Sequence, residues 1–170
     1  FLRARTASDH AILITDSNVE ELYADAAGDR LVGEGWEVDI FAIEAGEPSK
    51  SVEAAEELWS AMLDEGTDRQ SVVVAIGGGV VGDLAGFTAA TFARGLEFFQ
   101  APTTLLAQAD SSVGGKAGIN LRGAKNMVGP QLNGIVGRKA GTSAEFAYSD
   151  AMKNSGKTWD DAALDAHITD

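Results

Sequence analysis

A glycine-rich segment from Gly77 to Asp83 (GGGVVGD) contains the pattern G-x-G-x-x-G. It follows a β-branched run and precedes an alanine-rich stretch, so it joins a predicted strand to a predicted helix. Glycine lets a backbone approach a pyrophosphate closely, and free N–H groups at a helix start attract anions. A tight strand-to-helix turn without a ligand has the same pattern. No strand ending in an acid follows about 20 residues later, so a phosphate site here differs from the usual dinucleotide fingerprint.

A second polar group follows the next predicted strand. Thr103 and Thr104 begin a helix, where hydroxyl groups either cap the helix or bind a ligand. Asp110, Ser111 and Lys116 come next, with two glycines before the lysine. A carboxylate, a glycine pair and an ammonium group this close together suit a polar, anionic small molecule. The alternative is a surface hairpin with a solvated ion pair.

Three further candidates follow the first two predicted strands. Asp16 ends the first strand, where a carboxylate either meets a ribose hydroxyl or supports a turn. Glu47 and Lys50 lie in a polar loop after the second strand, and their position in that loop is their only support.

The remaining candidates have a simple alternative. Lys125 and Asn126 lie in a glycine-flanked loop that is equally typical of solvated surface. Arg94 ends a predicted helix, where the helix dipole favours a cation in any case. His10 and His167 are far apart and form no H-x-x-x-H pair, so we predict no metal ligand in this chain.

The scaffold for these residues is predicted to be α/β. Strand-type runs cover Ala11–Thr15, Trp36–Ile43, Ser71–Ile76 and Glu97–Ala101. A helix is predicted after each strand. The first begins at a capping box formed by Ser17 and Glu20 and ends at about Asp29, and the second runs from Val52 past Met62 to Gly66. The third runs from the glycine turn to about Ala93, and the fourth from Thr104 to about Ala109. Alternation of strands and helices predicts an open parallel sheet with helices on both faces.

Composition limits the classes of function. The 170 residues suit one domain with a small appendage, and 45% hydrophobic residues supply a core. A net charge of -13 argues against nucleic acid or an anionic membrane as the main partner. The absence of cysteine excludes disulfides and thioether-bound haem and fits the cytoplasm. No membrane span or signal peptide is expected, and the start without Met suggests processing or truncation.

Taken together, residues 11 to 129 resemble 3-dehydroquinate synthase. GGGVVGDLAGFTAATFARG and FFQAPTTLLAQADSSVGGKAGINLRGAKNMVG match that family almost residue for residue, and TDSNV and GEPSKS fall at matching places. The resemblance implies a Rossmann-like, NAD-binding domain of a cytoplasmic homodimer. That family converts a seven-carbon keto-sugar-acid phosphate into 3-dehydroquinate in the shikimate pathway. It uses NAD catalytically, together with a divalent zinc or cobalt ion.

The resemblance also implies roles for individual residues. The adenosine side of NAD would contact Asp16, Glu47 and Lys50. Its pyrophosphate and ribose would meet Gly78, Gly79, Val80 and Asp83, and the rest of the cofactor would be lined by Thr103, Thr104, Ser111 and Lys125. The sugar-phosphate substrate would meet Asp110, Lys116 and Asn126, with Arg94 reaching its phosphate across a dimer interface. The family's metal ligands belong to a C-terminal domain that this chain lacks, so we expect the chain to be inactive alone.

The segment after residue 129 resembles an internal part of a class I cytochrome c. Its haem-attachment motif and axial ligands are missing, so we expect no haem. We therefore predict an NAD-binding domain over residues 1–129 and a poorly packed helical tail over 130–170. We expect the two to be joined by a gene fusion, a mis-assembled sequence or a pseudogene. The alternatives are an NAD-binding module without chemistry, a related sugar-phosphate cyclase and, more remotely, a haem electron carrier.

Overall fold

A computed structural model describes residues 1–111, 117–121 and 125, with the backbone alone at positions 110 and 111. The chain divides into two compact units, Phe1–Val128 and Gly129–Asp170, and all the described residues lie in the first. The predicted tail helices and the cytochrome-like segment lie outside the described residues. The assignment of residues 130–170 therefore stays a prediction.

Four parallel strands form one sheet in the described part of the chain. They are β1 (His10–Asp16), β2 (Glu37–Ile43), β3 (Val72–Gly77) and β4 (Glu97–Pro102). Their order across the sheet is β2-β1-β3-β4. The predicted open parallel sheet is confirmed, and every strand end lies within one residue of its prediction.

The strand order creates a crevice at one end of the sheet. After β1 the chain crosses to β2 on one side, and β3 then pairs with β1 on the other side. The connections after β1 and β3 therefore diverge at the carboxyl end of the sheet, where the strands finish. Ligands of open α/β sheets bind at such a point.

In the described part of the chain, three helices cover the two faces of the sheet: α1 (Asp25–Gly33), α2 (Val52–Asp64) and α3 (Gly79–Thr91). On one face, Leu13 packs in a cluster with Trp36 and residues of α1. On the other face, Ile12 packs with Leu58 of α2 and Leu84 of α3. Because both faces are covered, every residue of β3 is buried, as its unbroken β-branched run predicts. No described helix is both long and apolar enough to cross a bilayer.

The predicted capping box at Ser17 is wrong. Residues Glu20–Ala24 form a π-helical turn ahead of α1, and no side chain caps it. The Ser17 hydroxyl instead accepts a hydrogen bond from the Ala45 N–H at 3.3 Å, which links the ends of β1 and β2. Ser51, which we had not singled out, does cap α2, since its hydroxyl accepts from the Ala54 N–H at 3.1 Å.

Three other helix boundaries differ from prediction. α1 continues to Gly33, past its predicted end near Asp29. α3 begins at Gly79, inside the glycine turn, and ends at Thr91 before a 3-10 turn over Phe92–Arg94. The helix after Thr104 passes into a π-helical turn over Ala107–Ser111. Single π turns of this kind are frequent at functional sites.

Candidate functional site

The glycine turn places the start of α3 at the carboxyl end of the sheet. Gly77 ends β3, and Gly78 precedes α3 with an extended backbone and no side-chain cap. The first N–H groups of a helix have no acceptor within it, so the amides that begin at Gly79 are available to a ligand. A helix of this length also carries a partial positive charge there. The turn therefore has the features of an anion site.

The same glycines allow close packing. A Cβ atom on Gly77 would lie 2.6 Å from Cγ2 of Val81, a fully buried residue of α3. On Gly82 it would lie 3.2 Å from Nε2 of Gln100 in β4. The tight-turn interpretation is thus correct for Gly77 and Gly82, whereas Gly78 and Gly79 are half-buried at the start of α3.

A small hollow opens between the ends of β3 and β4 and the start of α3. Its lining consists mainly of small residues: Ala75, Gly77, Gly78, Gly82, Gln100, Pro102 and Ala107. Side chains of this size leave room for a ligand to approach the backbone.

The two threonines beside this hollow differ in role. The Thr103 N–H donates to the Gly77 carbonyl at 2.9 Å, while its buried hydroxyl has no hydrogen-bond partner among the described residues. Thr104 is exposed, and its hydroxyl accepts from the Ala107 N–H at 3.2 Å. Thr104 therefore caps the following helix, whereas the Thr103 hydroxyl is a buried polar group that a ligand could satisfy.

Lys50 connects the turn after β2 to α3. Its Nζ donates to Oδ2 of Asp83 at 2.7 Å, and only 5% of its side chain is exposed. The Asp83 side chain is 18% exposed. Burial makes this pair energetically important, because removing one partner leaves the other charge without compensation.

Glu47 lies beside this pair at the edge of the solvent. One carboxylate oxygen, Oε1, lies 3.8 Å from Lys50 Nζ and accepts from Nδ2 of Asn120 at 3.1 Å. The Asn120 hydrogen bond is the largest cause of a lowered Glu47 pKa, desolvation opposes it, and the charges of Lys50 and Lys125 lower the pKa further. Lys125 is therefore close enough to Glu47 to influence its charge.

Asp16 lies at the same end of the sheet. Its carboxylate Oδ1 accepts from the Asn18 N–H at 2.9 Å. This bond supports the turn that follows β1, as one of the two alternatives predicted. The position at the end of β1 is also the one where a carboxylate could meet a ribose.

The predicted site residues do not all come together. Asp16, Glu47, Lys50, Gly78, Gly79, Val80, Asp83, Thr103 and Thr104 follow strands or begin α3 at the carboxyl end of the sheet. Arg94 does not: it lies beyond the far end of α3, exposed, with φ of 74°. The side chains of Asp110 and Ser111, together with Lys116 and Asn126, lie outside what the structure describes.

Two residues that contact the site were not identified from the sequence. Asn120 bonds to the Glu47 turn, and Gln100 lines the hollow. Neither carries a local signal, because each becomes a neighbour of the site only through the fold.

Metal binding finds no support in the part of the chain that the structure describes. No three His, Asp or Glu side chains of residues 1–109, 117–121 and 125 are arranged to hold a metal ion.

An open parallel sheet with a glycine turn and an uncapped helix start at its switch point defines a Rossmann-like α/β domain. A family model for the N-terminal part of 3-dehydroquinate synthase matches residues 40–135. That match covers more than half of the chain, which therefore belongs to the 3-dehydroquinate synthase family.

Curated relatives agree with this assignment. The chain is 58% identical over 120 residues to 3-dehydroquinate synthase of Rhodopirellula baltica, which covers 71% of this chain and 32% of the relative. It spans about a third of the length of the curated relatives that it matches.

Two solved structures share the fold. One is 2-deoxy-scyllo-inosose synthase complexed with carbaglucose-6-phosphate, NAD+ and Co2+, with a TM-score of 0.68 at 33% identity, covering 73% of this chain and 34% of that one. The other is 2-epi-5-epi-valiolone synthase from Streptomyces hygroscopicus with NAD+ and Zn2+ bound, with a TM-score of 0.66 at 32% identity, covering 76% and 38%.

Proposed function

We propose that this chain is the NAD-binding part of a 3-dehydroquinate synthase, the enzyme that eliminates phosphate from a seven-carbon keto-sugar-acid phosphate and closes its ring. The observation that carries the proposal is the uncapped start of α3 at Gly79, which lies beside the buried pair of Lys50 and Asp83 at the carboxyl end of the sheet. Such a site can bind various anions, and membership of the 3-dehydroquinate synthase family favours NAD among them.

Each residue of the proposed site can be assigned to a part of NAD. The amides at the start of α3, from Gly79 and Val80, suit the pyrophosphate, and Gly78 leaves its approach open. Carboxylates accept hydrogen bonds from ribose hydroxyls, the role we assign to Asp16, Glu47 and Asp83. The buried Thr103 hydroxyl offers a further contact. Lys50, Thr104, Ser111 and Lys125 complete the proposed cofactor site.

When bound, NAD supplies the oxidation of a substrate hydroxyl to a ketone and the later reduction of that ketone. The protein residues bind and orient. The Lys50 ammonium group holds the Asp83 carboxylate at 2.7 Å, so the orientation of that carboxylate is set before a ligand arrives. Such preorganisation reduces the entropy that binding costs.

The substrate contacts remain proposals from the family. Asp110, Lys116 and Asn126 are the residues we assign to the anionic sugar-phosphate. Arg94 is placed far from the carboxyl end, so a contact from Arg94 to the substrate requires a second subunit. The homodimer that the family implies would allow this contact, and we propose the same assembly, in the cytoplasm. No group of three metal-ligating side chains is found among the residues that the structure describes, and we assign the family's zinc or cobalt ion no step here.

A related sugar-phosphate cyclase is the second candidate, because the two solved structures that share the fold are 2-deoxy-scyllo-inosose synthase and 2-epi-5-epi-valiolone synthase. An NAD-binding module without chemistry is the third. A purified C-terminal part of a relative, supplied in trans, separates them. Phosphate release from the seven-carbon substrate supports the synthase. Turnover of a hexose phosphate alone supports the other cyclase, and NAD binding without turnover supports the module.

Calorimetric titration of the purified chain with NAD tests the cofactor site. We expect saturable binding, and a Gly79→Asp variant should bind at least about 100-fold more weakly because it places a negative charge at the phosphate turn. Gly33→Asp is the matched control: it adds the same charge at the other end of the sheet, where a Cβ atom meets nothing within 4 Å. Equal affinity in the Gly79→Asp variant, or no binding by the wild-type chain, would contradict the proposal.

A further inference from the structure

Asn120 holds the turn that carries Glu47 and Lys50. Its backbone N–H donates to the Lys50 carbonyl at 2.7 Å. Its side-chain Nδ2 donates to Oε1 of Glu47 at 3.1 Å and lies 3.5 Å from the Glu47 carbonyl. One residue, 73 positions further along the chain than Glu47, thus bonds to both ends of this short turn.

The segment that carries Asn120 is anchored to α3. Ile119 is 4% exposed and belongs to the core cluster that contains Leu84 of α3. A Cβ atom on Gly86 of α3 would lie 2.9 Å from Cβ of Ala117, so the segment and the helix are in close contact. Asn120 therefore joins the turn after β2 to the helix whose first turn forms the proposed pyrophosphate site.

This connection affects the charge and the orientation of Glu47. The Nδ2 group of Asn120 is the largest cause of the lowered Glu47 pKa, so it favours the ionised carboxylate. A carboxylate oxygen that accepts a fixed amide donor has less rotational freedom, and the other oxygen is left in a defined direction.

We propose that Asn120 is a positioning residue of the dinucleotide site, which acts by orienting Glu47 and the Lys50 turn and does not itself contact the cofactor. The inference rests on the proposed NAD site. Asn120 fixes the Glu47 carboxylate and the Lys50 backbone, so binding needs less reordering of this turn.

Calorimetry with NAD on two variants of the chain tests the inference. Asn120→Ala removes the side-chain donor and keeps the backbone bond to Lys50, and we expect about tenfold weaker binding, equivalent to about 1.4 kcal/mol. Asn120→Asp should bind more weakly still, because a second carboxylate then faces Glu47. Gln70→Ala removes an exposed side-chain amide far from this turn and should bind like the wild type.

A second readout distinguishes positioning from a general loss of stability. The Glu47 pKa, followed by NMR of its side-chain carboxyl carbon, should rise toward its ordinary value in Asn120→Ala. A lower melting temperature with unchanged affinity and unchanged Glu47 pKa would overturn the inference and leave the NAD site intact. A wild-type chain that binds no NAD would overturn the proposed function and the inference with it.

Discussion

At the amino end of the sheet His10 lies between Asp39 and Ser71, and at the carboxyl end Lys50 lies between Glu47 and Asp83. Both side chains are largely buried and both make one short contact with a carboxylate. His10 Nε2 lies 2.7 Å from Oδ2 of Asp39, and Lys50 Nζ lies 2.7 Å from Oδ2 of Asp83. The surroundings of the two groups nevertheless differ.

The amino-end network closes on itself. His10 Nδ1 lies 3.0 Å from the Ser71 hydroxyl oxygen. The same oxygen accepts a hydrogen bond from the Asp68 N–H at 3.0 Å. The Asp68 carboxylate accepts from the backbone of Gln70, the largest cause of its lowered pKa. The order Asp, His, Ser resembles a catalytic triad, but Ser71 is 2% exposed and no substrate could reach its hydroxyl. This network fastens β1 and β2 to the loop before β3.

The carboxyl-end cluster of Glu47, Lys50 and Asp83 lies near polar groups whose hydrogen-bonding capacity is not satisfied by the described residues. The start of α3 has no side-chain cap, and the Thr103 hydroxyl is buried without a partner among the described residues. The comparison teaches that a buried charged side chain between two partners does not by itself indicate function. Among the described residues, buried polar atoms without a partner also lie near the amino end, at Thr67 and Trp36. What distinguishes the carboxyl end is that its unsatisfied groups lie beside a hollow lined by small residues.

Breaking the Lys50–Asp83 pair should have the largest effect. Lys50→Met should weaken NAD binding about 100-fold and lower the unfolding free energy by about 2 kcal/mol, because Asp83 loses a charged hydrogen-bond donor. Calorimetry and urea unfolding measure the two quantities. Arg30→Met is the control, since its pair with Glu34 is exposed and contributes little. If Lys50→Met bound NAD as tightly as the wild type, the carboxyl-end cluster would be a structural network like the one at the amino end, and not part of a ligand site.

The amino-end network should affect stability alone. His10→Phe removes both ring hydrogen bonds and should cost about 2 kcal/mol of unfolding free energy. NAD affinity, measured well below the melting temperature, should stay within about twofold of wild type because the sites are far apart. A large loss of affinity in the folded variant would show that the two ends are coupled.

Two serines at the carboxyl end allow a smaller test. Ser51→Ala removes the cap of α2 and should cost about 1 kcal/mol. Ser17→Ala removes only an exposed, 3.3 Å bond to Ala45 and should cost less than about 0.5 kcal/mol. Urea unfolding measures both, and equal losses would indicate that Ser17 caps a helix after all.

The smallest expected effect is the pH dependence due to Glu47. Its pKa is lowered in the folded protein from an ordinary 4.5, so its ionised form stabilises the fold. That contribution is complete above pH 4.5 and is lost as the pH falls through the lower, folded value. The side chain is 43% exposed, so solvent screening keeps the effect to a fraction of a kcal/mol.

Urea unfolding of wild type and Glu47→Gln across this acidic range isolates the contribution of Glu47. The difference between the two proteins should shrink as the pH falls. A constant difference would show that the charge of Glu47 does not stabilise the fold.

The strands were predictable because their signals are local. The run from Val72 to Ile76 has the composition of a strand buried on both faces, and the alternation of strands and helices implies parallel pairing. The glycine turn was predictable for the same reason. Ser17 was mispredicted because the local pattern of a capping box could not reveal that its hydroxyl would bond across to Ala45.

The sequence by itself determined the α/β class, the four strands and the residues available for an anion site. Only the tertiary structure decided which of those residues meet. Lys50 and Asp83 lie 33 positions apart, and they pair because the strand order β2-β1-β3-β4 brings the turn after β2 near the start of α3. The same folding separates Arg94 from the site and brings Asn120 to it. Propensities act over a few residues, whereas strand order is set by packing of the whole core, so local patterns could not specify these contacts.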